Sequence, residues 1–359
     1  MFSSFTLQNL QKRPLARDAR LLIFALGLFV LSGCSSLFGV KRTVTVTPLL
    51  GPLSDASTTE LINEANRMAA VRSIRGKIDI QIEDTSFAES GIAEKYRTAD
   101  GTVYLQRPGQ IYLKIQAPFV GTNIAEMTSD GEHFRVAVLQ GDEKYKRFVR
   151  GTNNAVYPKL EMEDPRPGDK NKKGKNGERT VSTLSNLRPQ HFTDALLIDP
   201  IQARDVTGRV YARSEFYLEE ADTRPRAKKT ERVVRGYYLL DELAPGGETG
   251  VRLLRRFWFD RVSGIRLARL QTFDKSGMLD SDVSYKDPKN FGEDGRLVMP
   301  SLVELTRPHD HYKLSISYQS PEAVTFDREY QPNVFLLENK WQLPEVDLDE
   351  REKQRANKQ

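Results

Sequence analysis

The chain has 359 residues, with 54 Lys and Arg, 49 Asp and Glu, four His and one Cys. That length holds one large domain or two small ones, and 38% hydrophobic with 29% charged residues is polar without being the composition of a wholly disordered chain. A single Cys excludes an intramolecular disulfide framework, a four-cysteine zinc site and an iron–sulfur cluster, while a net charge of +5 brings nucleic acid into consideration.

The first segment reads as an address. Lys12, Arg13, Arg17 and Arg20 stand against Asp18, and Leu21 to Leu31 is an unbroken run with no charge. A basic stretch followed by a short apolar one is a secretory signal; a spanning helix needs about 20 apolar residues. The run ends Leu31-Ser32-Gly33-Cys34, which resembles the lipobox of bacterial lipoproteins. The resemblance implies cleavage before Cys34 and a diacylglyceryl group on its thiol with an acyl chain on the new N-terminus. No other cofactor is expected. Ser35, where a retained lipoprotein would carry Asp, implies sorting to the outer membrane, facing the periplasm. Losing residues 1–33 removes four Lys and Arg and one Asp, so the net charge falls from +5 to +2 and the case for nucleic acid falls with it.

Residues 34–56 read as a lipidated N-terminus and flexible tether. Ser57-Thr58-Thr59-Glu60 is a capping-box pattern, and Leu61, Ala65, Met68 and Ala69 follow at helical spacing, which predicts an amphipathic helix over about 58–72. The period then becomes two: Ile78, Ile80 and Ile82, then Ile111, Leu113 and Ile115, then Phe134, Val136 and Val138. Such alternation predicts half-buried antiparallel strands. Hairpin turns are marked by Arg107-Pro108-Gly109 and Ser129-Asp130-Gly131. Residues 161–180 and 221–235 are basic inserts, read as loops, and 186–197 is a second candidate helix. Strands follow over 233–240, 252–260, 265–273, 278–285, 297–306 and 313–318. Residues 346–359 read as a charged, frayed tail. The expected class is α+β, with one sheet domain over 57–345.

The order of these turns resembles the LolA/LolB/LppX-like family of lipoprotein and lipid carriers. The matching stretches are Gly76-Lys77-Ile78, Val103-Tyr104-Leu105-Gln106-Arg107-Pro108-Gly109, Pro118-Phe119-Val120-Gly121-Thr122, Ser129-Asp130-Gly131-Glu132, Phe259-Asp260-Arg261-Val262-Ser263-Gly264-Ile265 and Phe273-Asp274-Lys275-Ser276-Gly277. The resemblance covers most of 58–340, loosely; the chain is longer than the family norm and carries the two inserts. It implies a large curved antiparallel sheet, an incomplete half-barrel, with helices covering the concave face. The nine alternating residues Ile78, Ile80, Ile82, Ile111, Leu113, Ile115, Phe134, Val136 and Val138 would then line an apolar cavity for acyl chains of lipids or lipoproteins. Phe119 and Val120 would contact the membrane, and a periplasmic carrier protein is an implied partner. Read from the residues alone, the nine fit an ordinary packed core better than a cavity; the resemblance is what favours the cavity.

The expected function is therefore non-enzymatic: transport or insertion of lipoproteins or lipids at the outer membrane. The alternative is an envelope assembly or structural lipoprotein that binds a protein or glycan. A third reading, a metal-dependent hydrolase, rests on His309-Asp310-His311, two imidazoles on one face of a strand with a carboxylate between. Arg252, Arg255, Arg256, Arg261, Arg266 and Arg269 read either as a lipid-phosphate surface, together with the lysines of 170–175, or as a solvated strand face neutralised by nearby acids.

Overall fold

The structure is a computed structural model. It describes residues 46–85, 94–95, 98–141, 143, 146–155, 157, 187–202, 208–246 and 250–357. The chain divides into Met1–Thr47 and Pro48–Gln359, and the described helices and strands all lie in the second unit.

The first helix, α1 (Thr58–Ala69), starts where the capping box places it. The Glu60 N–H donates to Ser57 Oγ at 3.3 Å, and the Ser57 N–H donates to Glu60 Oε2 at 2.7 Å. Leu61, Ala65, Met68 and Ala69 are its buried stripe.

Among the described residues sixteen strands form one sheet. The first group is β1 (Ser73–Asp84), β2 (Glu94–Lys95), β3 (Ala99–Gln106), β4 (Gln110–Gln116), β5 (Asn123–Asp130), β6 (His133–Val138) and β7 (Arg147–Thr152). After α2 (Pro189–Leu196) come β8 (Val210–Ala221), β9 (Arg232–Pro245), β10 (Val251–Asp260), β11 (Arg266–Phe273), β12 (Leu279–Phe291), β13 (Leu297–Arg307) and β14 (Tyr312–Tyr318). The last elements are β15 (Thr325–Phe326), β16 (Glu345–Asp347) and α3 (Leu348–Ala356). The strand order is 16-7-6-5-4-3-1-14-13-12-11-10-9-8, with β2 and β15 pairing β1 off this path. Two meanders thus meet on β1, where Ile80 pairs both Ala99 and Ile316. The sheet is open, and every pairing is antiparallel except β16 with β7. This is the expected α+β class.

Period two puts one side of each strand into a common interior. A row of direct cross-strand neighbours, Val149, Val136, Met127, Leu113 and Val103, runs from β7 to β3 and is fully buried. Helix α2 packs against β4, β5 and β13, strands on both sides of β1, so the sheet curves around it. The outer face is wet along most of its length. It is covered over β6 and β7, where Leu337, Trp341 and Leu343 of the C-terminal segment pack on Ala137 and Phe148, and it carries a smaller cluster of Tyr237, Leu239 and Trp258 on β9 and β10.

The Ser129-Asp130-Gly131 and Arg107-Pro108-Gly109 turns are matched to one another. Gly131 has φ +106°, and a Cβ there would lie 2.7 Å from the Pro108 carbonyl oxygen, so only glycine lets the two hairpin ends touch.

Two expectations need correction, and two strands were not anticipated. Part of the expected tether belongs to the body: Leu49 bridges Val234, Leu53 bridges Val262, and Asp55 accepts from Tyr238 and Arg261. The expected loose tail is instead β16 and α3, docked on β7 through buried Val346 and Leu348 and capped by Asp347. The basic stretch 221–235 is a hairpin connection whose first strand, β8, was not anticipated. Strand β7 was not anticipated either. The 161–180 insert lies outside the described residues.

Candidate functional site

The nine residues expected to line a cavity do share one interior. None is more than 7% exposed, and all belong to a single apolar cluster with Leu61, Ala65 and Met68 of α1 and Phe192, Ala195 and Leu196 of α2. That interior is packed. The apolar hollow between α1, α2 and β13, bordered by Met68, Leu196, Met299 and Tyr318, holds about 10 Å³, room for about one water. An acyl chain needs a pocket of several hundred Å³ (order of magnitude), so it is admitted only if the helices part from the sheet.

The residues holding α2 down are specific. Asn66 of α1 donates from Nδ2 to the Ile201 carbonyl at 2.9 Å and accepts the Ile201 N–H at 2.7 Å. Arg107, from the β3–β4 turn, donates to the Val71 carbonyl at 3.0 Å and to the Ile198 carbonyl at 2.5 Å. Arg255 of β10 donates to the Asp199 carbonyl at 2.8 Å. Three side chains from three elements thus grip 198–201, the stretch leaving α2, by its backbone.

The other flank of α2 is polar. Two adjoining clefts of about 340 and 300 Å³ share Gln190, His191 and Asp194 of α2 with Asp280 and Arg307 of the sheet. Arg307 pairs with Asp280 at 2.7 Å and Asp310 at 2.9 Å. Burial, with the positive Arg307 and Arg188 nearby, pushes His191 down to about 3, so its ring is neutral where its Nδ1 meets the Tyr312 hydroxyl. Asp194 reaches solvent in the cleft, yet the surrounding protein and the negative Asp199 and Asp280 push it up to about 7. At the rim, the Arg188 guanidinium lies over Phe134 at 5.1 Å and Tyr157 at 5.3 Å. Sequence reading missed this cluster. Its members come from α2, β12, β13 and the β13–β14 turn, and no sequence spacing links the helix residues to Asp280 or to Arg307 and Asp310.

The β4–β5 turn carries the expected membrane-contact pair. Phe119 is 105% exposed and Val120 77%. The turn is tightly built. The Val120 N–H donates to the Pro118 carbonyl at 2.8 Å, the Gly121 N–H to the Ala117 carbonyl at 3.1 Å, and the Ala117 N–H to the Thr122 carbonyl at 2.8 Å. The bond from Val120 back to Pro118 closes a γ-turn, and Phe119 at its centre has φ 67°. A bulky residue in the left-handed region is strained by of order 1–3 kcal/mol. An apolar side chain is therefore held outward at a cost in backbone energy.

The remaining candidates divide. Cys34, Leu31, Ser32, Gly33 and the lysines of 170–175 lie outside the described residues. His309 faces Asp274 at 3.9 Å, His311 sits at φ 55° in the β13–β14 turn, and among the described residues no group of three or more metal-binding side chains gathers. The late arginines are largely paired: Arg256 with Asp241 at 2.6 Å, Arg261 with Asp55 at 2.8 Å and Glu215 at 2.9 Å, and Arg269 with Asp282. That arrangement is a strand face neutralised by its neighbours. Among the described residues no helix is long and apolar enough to cross a membrane.

No family model and no curated protein matches this sequence. Solved structures do. A LolA superfamily protein from Nitrosomonas europaea is 10% identical, covering 79% of this chain and 99% of its own, with a TM-score of 0.38. A DUF1329 family protein from Desulfovibrio piger is 12% identical over 77% and 95%, with a TM-score of 0.38. A putative outer membrane lipoprotein-sorting protein domain from Vibrio parahaemolyticus is 9% identical over 79% and 97%, with a TM-score of 0.36. The stretches quoted for the LolA-type resemblance fall on β1 and on the β3–β4, β4–β5, β5–β6, β10–β11 and β11–β12 connections.

Proposed function

We propose that this chain is a non-enzymatic, lipid-anchored envelope protein, attached at Cys34 to the periplasmic face of the outer membrane, that receives acyl chains of lipids or lipoproteins and passes them to the bilayer. The single observation that carries this reading is the outward Phe119-Val120 tip. A strained, tightly hydrogen-bonded turn presenting two bare apolar side chains has no folding rationale, and an apolar phase is the surroundings it suits.

In this reading the interior is the seat for an acyl chain, worth about 0.8 kcal/mol for each CH₂ taken from water. Access comes from lifting α2 and the 198–201 stretch, held by Asn66, Arg107 and Arg255. The polar clefts keep one flank of α2 hydrated already, so lifting it exposes only the Phe192, Ala195 and Leu196 side. A periplasmic carrier supplies the cargo.

Uptake of a fluorescent fatty-acyl probe tests this. Saturable binding is expected, and Asn66→Ala, which releases the Ile201 backbone, is expected to speed it. No saturable uptake by either protein sinks the reading. The packed interior specifically favours one other reading, an assembly lipoprotein that binds a protein or glycan partner; recovery of a stoichiometric partner without lipid would establish it.

A further inference from the structure

We propose that the outer edge of β8 pairs antiparallel with the same edge of a second copy of this chain, about a two-fold axis at Ser214, to give a sheet continuous across a homodimer. The inference does not depend on the acyl-chain reading.

Strand β8 is the terminal strand of the order and pairs β9 along all of its length, from Val210 opposite Leu243 to Ala221 opposite Arg232, with no bulge. Among the described residues no strand pairs its other edge. Twelve residues without Pro, Gly or bulge make an edge ready to accept a strand. Charged side chains are the only protection it carries, and their spacing decides which strand is accepted.

Directly opposed residues of an antiparallel pair share a face, so a two-fold axis must fall on a residue. On Arg213 it would set Arg against Arg, and on Glu215 Glu against Glu. On Ser214 it sets Arg213 opposite Glu215, twice by symmetry, with Tyr211 opposite Tyr217. The other face then matches Val210 with Leu218 and Ala212 with Phe216. An axis on Phe216 sets Arg213 opposite Glu219, whose carboxylate already takes Arg232 at 3.4 Å.

The fold places the central charged pair and the opposite face suitably. Arg213 donates to the Ala56 carbonyl and lies over the Tyr238 ring at 5.0 Å, while Glu215 takes Arg261 at 2.9 Å and keeps 47% of its side chain exposed. Both have acceptor or donor capacity left for a facing strand. On the outer face Phe216 stands edge-on to Trp258 at 5.1 Å, beside a small cluster of Tyr237, Leu239 and Trp258. That cluster stops at β8, with Phe216, Leu218 and Val210 still exposed at its border. A second copy continues it.

The test uses the full chain in a Cys34→Ser background. In the proposed register the two Ser214 Cα atoms lie about 4.5–5.5 Å apart, within disulfide range. Ser214→Cys is expected to oxidise to a covalent dimer and Phe216→Cys is not. Sedimentation equilibrium is expected to show a dimer, weakened about tenfold or more by Arg213→Glu, which turns attraction into repulsion at two symmetric positions, and restored by Arg213→Glu with Glu215→Arg. A monomer at every concentration tried, equal cross-linking at both positions, or cross-linking at 216 alone overturns the proposal. Arg213 also supports Ala56, so the cysteine comparison stands whether or not the Arg213→Glu variant folds.

Discussion

Replacing Phe119 with Gly separates what the β4–β5 turn does for folding from what it does at a surface. In place, Phe119 contributes almost nothing to packing, being fully exposed, and holds φ at 67°. Glycine adopts that φ without the clash, which relieves of order 1–3 kcal/mol, and gives back roughly 0.5–1 kcal/mol in unfolded-state entropy. Stability in chemical denaturation is therefore expected to stay the same or rise by about 1–2 kcal/mol. Membrane affinity moves the other way. A Phe side chain leaving water is worth about 2–3 kcal/mol, and each 1.4 kcal/mol is tenfold in partitioning. Vesicle co-sedimentation of the Phe119→Gly chain in a Cys34→Ser background, where no acyl anchor masks the tip, should thus need roughly 30- to 100-fold more lipid for half-binding than the Cys34→Ser parent. A stability loss of the kind seen for buried aromatics, or unchanged vesicle binding, would refute the reasoning.

Other outcomes concern the interior and the helices. Leu113→Ala should lower unfolding free energy by about 2–5 kcal/mol in urea titrations, the range for a packed core; a loss below about 1 kcal/mol would mean that the interior is slack. Asp194 holds its proton more tightly folded than unfolded, so its contribution to stability falls as pH climbs from about 4 towards about 7. Asp194→Asn should remove that fall, gaining on the parent chain at pH 8 and not at pH 4 in paired thermal melts. Ser57→Ala removes the side-chain half of the capping box and leaves the Ser57 N–H on Glu60, and it should cost about 1 kcal/mol, read by denaturation.

How much was legible depends on where the signal resides. Strands β1, β4 and β6 were readable because one face is buried and their apolar residues recur every second position. Strand β8 was not: both its faces are exposed, so no stripe marks it. In β7, Phe148 and Val149 are neighbours yet both buried, since the C-terminal segment covers the outer face there and erases the alternation. The docking of 48–56 uses backbone bridges and Asp55, which a Gly- and Pro-containing stretch does not advertise. The Phe119-Val120 tip was marked through the resemblance of the Pro118–Thr122 stretch to the LolA-type turn, since an apolar pair between Pro and Gly does not by itself say which way the side chains point. The cleft beside α2 had no such mark, because Asp194, Asp280 and Arg307 meet only after the sheet has curved.

The place of β1 sets the order in which the molecule can be assembled. It is the first strand made, yet one of its edges waits for β14, and Ile80 finds Ile316 only after nearly the whole chain exists. Until then the β3–β7 wing can close on β1 alone, leaving the opposite row of amides and carbonyls open to any passing strand. Closing so large a loop is slow, which lengthens that exposure. The chain is thus most vulnerable to mispairing late in its synthesis, and a truncation just before Tyr312 is the lesion from which it has least means to recover.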